Sequence, residues 1–410
     1  MTDSQHFSTQ AVHAGKDIPT PTGRPVSPAI YPAVTYTYDR MDDLSAALHE
    51  NAGYSYSRYG SPTIAQLEQA VATLEGTEDA VAYASGMGAL HGVFAQVGIT
   101  PARPVVAARN VYGATYALLN KMYADSGALH WVEITDRDAV QAAIEQHQPR
   151  AVVLETISNP LLKIPDIPAI TQWAHACGAI VIVDNTFATP YLYRPIEHGV
   201  DVVVHSATKY LGGHGDVLGG VVATTAQRAH ELRLQQRSFG ANLGPFEAWL
   251  TLRGIRTLAL RLREQCANAM QVALWLNDQP AIARVIYPGL PDHPDYDLAR
   301  RLFRTNHFGG MVSFELRDAA ESEVPPKDGD SQKDGTSYFV FRFMEKLKLI
   351  QAATSLGDVY SLLLYPAQSS HHALGREERL RQGIGDGLVR LSVGIEDAAD
   401  IIADLDQALR

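Results

Sequence analysis

The chain has 410 residues, of which 46% are apolar and 19% charged, so it is long enough for two or three domains and is neither disordered nor fibrous. The net charge is -11 without any basic run, so nucleic acid is not expected as a partner. Two widely spaced cysteines, Cys177 and Cys266, and the lack of a long apolar stretch predict no disulfide framework and no membrane segment, and favour a cytoplasmic protein.

Residues 1–60 predict an extended arm rather than a domain. They are rich in Pro, Tyr, Ser and Gly, and show little helical periodicity before MDDLSAALHE. A segment with so few apolar residues cannot form its own core. We therefore expect the arm to lie along another surface, in the same chain or on a neighbouring subunit.

Helices and short apolar strands alternate over residues 61–254. The predicted helices are PTIAQLEQAVATLEG, MGALHGVFAQVG and IPAITQWAHACG, and the predicted strands are DAVAYAS, RPVVAAR, AVVLET, AIVIVDN, DVVVHSA and GVVATT. Continuous apolar strands that alternate with helices are typical of a parallel sheet covered on both faces. This part of the chain therefore predicts a large α/β domain.

Residues 255–410 predict a smaller α+β domain. A long helix, TLALRLREQCANAMQVALWLND, is followed by the strand-like segments GGMVSFELR, LKLIQAATSLG and GLVRLSVGIE. Residues 318–337 are polar and lack a core pattern, so we expect an exposed loop there.

Lys209 follows directly after the strand DVVVHSA, within SATKYLGGHGDVLGG. Ligands bind at the carboxyl ends of strands in open α/β sheets, and a desolvated lysine there becomes a nucleophile toward carbonyl carbon. Ser206 and Thr208, two residues apart on one predicted strand face, can offer hydroxyls to a phosphate beside it. A lone lysine at a strand end is usually a surface residue, so the neighbours carry this interpretation.

Two further segments suit the same ligand. Asp184 ends the apolar strand AIVIVD, where its carboxylate can meet a protonated pyridine nitrogen or can cap the following turn. Gly86 and Met87 follow Ser85 at the start of a predicted helix, where free backbone amides bind phosphate.

Other kinds of site fit less well. A dinucleotide fingerprint that begins at Gly86 requires a third glycine where His91 stands, and no acidic residue follows about 20 positions on. His214 and Asp216 lack further ligands at a useful spacing, so no metal is expected.

Eight segments resemble, in order and at similar spacing, the pyridoxal-phosphate enzymes of cysteine and methionine metabolism. They are YSYSRYGSPT, YASGMGA, NVYGATY, ETISNP, VDNTFATP, SATKYLGGHGDVLGG, ATSLGD and VRLSVGIE. The family includes cystathionine γ-lyase, cystathionine γ-synthase, methionine γ-lyase and the O-acylhomoserine sulfhydrylases. The resemblance implies an aspartate-aminotransferase-like (type I) fold and a homotetramer built from two catalytic dimers.

The resemblance also implies the roles of the cofactor site. Lys209 would hold pyridoxal 5'-phosphate as a Schiff base and move protons, Asp184 would pair with the pyridine nitrogen, and Tyr112 would stack on the ring and act as acid or base near the leaving group. The phosphate would be held by Gly86, Met87, Ser206 and Thr208, and by Tyr56 and Arg58 of a neighbouring subunit.

The same resemblance implies that Arg390 binds the substrate α-carboxylate through a bidentate contact, with help from Asn159 and Ser355. For Asn159, a turn beside Pro160 is the alternative. Thr354 stands where cystathionine-handling enzymes usually have glutamate, and Ala114 stands where methionine γ-lyases typically have cysteine.

Family members either eliminate a γ-substituent and release ammonia and an oxo acid, or replace that substituent with a thiol. Gly-His-Gly-Asp-Val after the lysine resembles methionine γ-lyases more than sulfhydrylases. We therefore predict a lyase that performs γ-elimination on a sulfur-containing amino acid, of methionine γ-lyase or cystathionine γ-lyase type, with γ-replacement on an O-acylhomoserine as the alternative. A non-catalytic or nicotinamide-binding α/β protein is disfavoured because Lys209 and Asp184 are present.

Residues 369–372, Ser-Ser-His-His, depart from the Thr-His pair that is usual in the family at this place, and they predict an atypical pocket.

Overall fold

A seven-stranded sheet forms the centre of the chain in a computed structural model, which describes residues 6–15, 26–50, 52–317, 335–372 and 374–410. Its strands are β1 (Asp79–Tyr83), β2 (Val105–Ala108), β3 (Leu129–Val132), β4 (Ala151–Glu155), β5 (Ile180–Asp184), β6 (Val202–Ser206) and β7 (Gly220–Thr224). The order across the sheet is β1-β7-β6-β5-β4-β2-β3. From β3 to β6 neighbouring strands run parallel, while β7 is antiparallel to both of its neighbours.

Helices cover both faces of this sheet. They are α3 (Pro62–Glu75), α4 (Gly86–Val97), α5 (Gly113–Leu119), α6 (Arg137–His147), α7 (Ile167–Ala176), α8 (Thr189–Leu192), α9 (Ala226–Phe239) and α10 (Pro245–Ile255). In β2, Val106 and Ala108 belong to one hydrophobic core, whereas Val105 and Ala107 belong to the other. Since successive side chains point to opposite faces, both faces are buried, as the apolar strands predicted.

A second sheet follows the long helix α11 (Leu258–Asn277). Its strands are β8 (Ile282–Ile286), β9 (Met311–Leu316), β10 (Gln351–Ala352), β11 (Leu362–Leu364) and β12 (Leu388–Ser392), in the order β10-β11-β12-β9-β8. The helices α12 (Tyr296–Leu302), α13 (Gly335–Lys346), α14 (Arg376–Arg381) and α15 (Ala398–Leu409) accompany it. The predicted α/β fold with a smaller second unit is confirmed, and the boundaries at residues 60 and 254 stay predictions.

The described part of the arm lies on its own chain. It contains two short helices, α1 (Phe7–His13) and α2 (Met41–His49). The backbone N–H of Tyr31 donates to Thr63 Oγ1 over 2.9 Å, and Trp249 Nε1 donates to the carbonyl of Pro28 over 3.0 Å. These bonds join the arm to α3 and α10. The arm therefore contacts a surface of its own chain, which is one of the two surfaces that the sequence predicts for it.

Two sequence predictions need correction. The predicted strand at 347–357 contributes only β10, because the backbone leaves the sheet after Ala352. Of the predicted loop 318–337, residues 318–334 lie outside the described residues, and Gly335 already begins α13. The sequence analysis did not predict three strands. β3 is an edge strand with only one fully buried residue, β8 has two exposed residues, and β11 is only three residues long. No helix within the described ranges is long and apolar enough to cross a membrane.

Candidate active site

A cavity of about 460 Å³ opens at the carboxyl ends of three neighbouring parallel strands. Glu155, Asp184 and Ser206 are the last residues of β4, β5 and β6, and all three line this cavity. Parallel strands end at the same edge of the sheet, so residues far apart in sequence converge there. The cavity is therefore at the edge where the sequence placed a ligand.

Lys209 lies in the turn that follows β6. It lines the cavity, and its Nζ donates to Ser355 Oγ over 3.2 Å. Burial lowers the pKa of Lys209, and the charge of Arg390 acts in the same direction, while Asp358 opposes them. A lowered pKa increases the fraction of free amine, which is the form that attacks a carbonyl carbon.

Thr208 is not on the face of the strand, which is a correction to the sequence prediction. The chain turns after Ser206, so Thr208 belongs to the turn. Its Oγ1 accepts from the N–H of Gly219 over 3.0 Å and lies 3.2 Å from the carbonyl of the same residue. Thr208 thus closes the glycine-rich loop while it lines the cavity together with Ser206.

Asp184 partly faces the cavity from the end of β5. Its Oδ1 accepts the backbone N–H of Thr186 over 2.9 Å, so the turn-capping interpretation holds for one carboxylate oxygen. Burial raises the pKa of Asp184, and the hydrogen bonds from Thr186 oppose that rise. A cation in the cavity would stabilise the ionised form of this buried carboxyl group.

The amino end of α4 provides backbone donors. Ser85 caps this helix, with its Oγ accepting from the N–H of Gly88 over 3.0 Å. The remaining N–H groups of a first helical turn have no partner within the helix, and here they belong to Gly86 and Met87, which both line the cavity. A Cβ on Gly86 would come within 3.0 Å of Ser206 Cβ, so a glycine permits the close approach of helix and strand.

Arg390 lies in the middle of β12, which continues to Ser392 between β9 and β11. Its Nη1 donates to Asn159 Oδ1 over 2.8 Å and its Nη2 donates to the carbonyl of Ser355 over 3.3 Å. Its buried Nε has no hydrogen-bond partner among the described residues. Burial lowers the pKa of Arg390 to about 10, so the group stays cationic at neutral pH. A buried cation of this kind needs an anion.

Three other expected residues also lie at the cavity. Tyr112 precedes α5, lines the cavity and keeps 42% of its surface exposed. Thr354 lies on the exposed side of the cavity wall. Asn159 is buried before a cis bond to Pro160, so the turn interpretation and the contact with Arg390 hold together.

Tyr56 and Arg58 lie elsewhere within one chain. They are near a separate cavity of about 610 Å³ that Arg58 lines together with residues of the arm and of α9. Arg58 Nη1 donates to the carbonyl of Arg237, and its guanidinium lies 5.0 Å from the ring centre of Tyr59. Their expected role belongs to a neighbouring subunit, so it stays a prediction.

Glu155 is a residue that the sequence analysis missed. Its Oε1 accepts the backbone N–H of Tyr112 over 2.6 Å, and β-sheet register places it beside Asp184. Burial raises the pKa of Glu155 well above its usual value, and the charge of Asp184 raises it further. The signal was available, because Glu155 closes the apolar strand AVVLE just as Asp184 closes AIVIVD.

The cavity presents the groups that pyridoxal 5'-phosphate requires. A carboxylate lies at the end of β5, backbone amides lie at the amino end of α4, and two hydroxyls and a lysine lie at the end of β6 and in the turn that follows. These groups match a pyridine nitrogen, a phosphate and an aldehyde in turn. The residues present therefore fit this cofactor.

Comparison with known proteins decides the family. Residues 8–410 match the family described as Cys/Met metabolism PLP-dependent enzyme. The chain belongs to this family. Within the family, cystathionine beta-lyase of Lactococcus lactis subsp. cremoris (strain MG1363) is 40% identical over 405 residues, which cover 98% of each chain. L-methionine gamma-lyase of Pseudomonas putida is 40% identical over 408 residues, covering 98% of this chain and 97% of the relative.

A crystal structure of cystathionine gamma synthase from Xanthomonas oryzae pv. oryzae in complex with cystathionine has a TM-score of 0.88 and 36% identity, covering 99% of this chain and 98% of that one. Membership of the family confirms the predicted enzyme class and the cofactor, pyridoxal 5'-phosphate.

Proposed function

We propose that this enzyme catalyses γ-elimination on a sulfur-containing amino acid and that Lys209 carries the cofactor. The observation that carries the proposal is the cavity itself, where Lys209 and Arg390 face one space and Ser355 contacts both. The names of the two similar lyases support elimination rather than transfer. The products would be a thiol, ammonia and an oxo acid.

The residues divide the work of the reaction. When bound, pyridoxal 5'-phosphate withdraws electrons from the amino acid's α-carbon. Arg390 holds the substrate carboxylate, and Asn159 orients the guanidinium for that task. Lys209 Nζ would carry protons, and its hydrogen bond to Ser355 Oγ would orient it. Tyr112 would act as the acid or base for the proton at the leaving sulfur.

The cofactor contacts follow the chemistry of each group. Asp184 pairs with the pyridine nitrogen and keeps it protonated. The first amides of α4 and the hydroxyls of Ser206 and Thr208 would hold the phosphate, and a neighbouring subunit would supply Tyr56 and Arg58. The enzyme would then work as a homotetramer of two catalytic dimers, and we place it in the cytoplasm.

γ-Replacement on an O-acylhomoserine is the second candidate. It is favoured by the similarity to a cystathionine gamma synthase over 99% of this chain. Because the two reactions share their first steps, the cofactor-binding residues do not separate them.

A substrate panel on the cofactor-loaded enzyme tests the proposal. Methionine, cystathionine, homocysteine, cysteine and O-acylhomoserines are supplied with and without a thiol, and oxo acid and new thioether are followed together. Release of 2-oxobutanoate from methionine or cystathionine alone supports the γ-elimination, whereas pyruvate from cystathionine would indicate β-elimination. Thioether formed only when an O-acylhomoserine and a thiol are both present would replace it with the second candidate.

A further inference from the structure

A second cavity of about 380 Å³ adjoins the active-site cavity on the smaller sheet. Three residues, Thr354, Leu364 and Ser369, line both spaces. We call this second space the side groove; its other lining residues are Phe341, Met344, Glu345, Ala352, Ala353, Leu363, Tyr365 and Gln368.

The side groove is mostly apolar. Helix α13 contributes Phe341 and Met344, and the strand side contributes Leu363 and Tyr365. The hydroxyl of Tyr365 donates to the carbonyl of Asp386 over 2.7 Å, and its ring stands edge-on to Phe341 with centres 5.9 Å apart. The ring therefore offers carbon atoms to the groove, since its polar end is engaged elsewhere.

Thr354, Leu364 and Ser369 form the boundary between the two spaces. Leu364 is buried, whereas Thr354 is exposed and Ser369 partly exposed, so the latter two form the rim. Ser369 Oγ donates back to the carbonyl of Tyr365 over 2.6 Å, which turns its polar atom away from a passing chain. The two spaces therefore meet at residues of which only Leu364 is fully buried.

We infer that the side groove receives the distal end of the substrate, so that the preferred substrates are thioether amino acids whose sulfur carries an apolar group longer than methyl. This inference rests on the proposed γ-elimination and specifies its substrate class. Cystathionine fits less well, because its distal carboxylate would lie against apolar surface and near Glu345, the one charged residue of the lining, which can pair only with its distal ammonium group. A straight alkyl or aryl group on sulfur removes apolar area from water at no such cost.

Binding of unreactive amino acids to the cofactor-loaded enzyme tests the inference apart from catalysis. Norleucine, 2-aminoheptanoate and 2-aminooctanoate lack a leaving group and extend by one methylene each. A buried methylene contributes about 0.8 kcal/mol, which corresponds to roughly fourfold tighter binding for each step. The dissociation constants are measured by titration calorimetry, with cystathionine and S-butylhomocysteine compared afterwards as substrates.

Two variants and one control locate the effect. Met344→Gln makes the groove polar at nearly constant volume, and Ala353→Leu fills it; each should reduce the ratio of norleucine to 2-aminooctanoate dissociation constants toward one. Arg342→Gln changes an exposed residue on the same helix outside the lining and should keep the wild-type ratio. An unchanged ratio in both groove variants, or no gain with chain length in the wild type, overturns the inference.

The outcome also separates this inference from the proposed function. If no thioether amino acid yields oxo acid while the affinity still rises with chain length and falls in the variants, the elimination is wrong and the groove stands as a ligand subsite. If methionine and cystathionine are cleaved but S-butylhomocysteine is not, the elimination stands and the groove assignment is wrong.

Discussion

Replacement of Arg390 by lysine tests the substrate-binding geometry most sharply. The guanidinium is held by Asn159 Oδ1 at 2.8 Å and by the carbonyl of Ser355 at 3.3 Å, and its Nε has no partner among the described residues. Lysine keeps the positive charge but cannot offer two parallel donors to a carboxylate. Losing one charge-assisted hydrogen bond costs about 1.5–3 kcal/mol, which predicts a loss of about 10- to 150-fold in kcat/KM.

A matched pair of ligands shows whether this loss concerns the carboxylate. Norleucine and norleucinamide differ only at that group, so Arg390→Lys should weaken norleucine strongly and norleucinamide by less than about threefold, judged by the loss of one charged contact. Titration calorimetry on the cofactor-loaded proteins gives both constants, and Arg342→Gln, an exposed change, serves as the control. Equal weakening of both ligands would refute the assignment of Arg390 to the carboxylate.

Three other predictions address the remaining parts of the site. Glu155→Gln should change kcat/KM only slightly, because the raised pKa of Glu155 favours its neutral form. Glu155→Ala should lower the free energy of unfolding by about 1–3 kcal/mol, because it leaves the N–H of Tyr112 unpaired. Equal effects of the two substitutions on urea unfolding and on kcat/KM would contradict this. Burial lowers the pKa of His371 to about 4, so the unfolded chain takes up a proton first as the pH falls below 6.5. His371→Gln should therefore remove about 2 kcal/mol of the stability that the wild type loses between pH 7.5 and 5. An equal loss of unfolding free energy over this pH range in both proteins, measured by urea unfolding, would contradict it. Mixed oligomers of Arg58→Ala and Lys209→Ala chains should regain activity if subunits share a site, and no recovery despite demonstrated subunit exchange would argue against sharing.

Much of the site could be predicted because its chemistry stands at strand ends. Asp184 ends the apolar strand β5 and Lys209 follows β6, which begins with three valines, and parallel strands bring their carboxyl ends to one edge of the sheet. The same reasoning applies to Glu155, whose strand is equally apolar. Apolar strands that alternate with helices therefore predict the fold of the large sheet and the edge at which its ligand binds.

The contacts between distant segments could not be predicted from local patterns. Arg390 and Asn159 lie 231 positions apart, and only tertiary packing brings them together. Ser355 was expected in a strand, but the backbone leaves the sheet before it and turns at Gly357. The φ of Gly357 is 77°, and a Cβ there would lie 2.7 Å from the N of Tyr210. Only glycine suits this turn, which brings Ser355 to Lys209.

Chemical trapping of the cofactor on its lysine tests the central claim most directly. The cofactor-loaded enzyme is reduced with borohydride, digested and analysed by mass spectrometry for a peptide that carries the added pyridoxyl group. We expect the label on Lys209, together with a yellow wild-type protein and loss of the lysine-linked absorbance band in Lys209→Ala. Label on another lysine, or a protein that stays colourless after pyridoxal 5'-phosphate is added, would contradict the account.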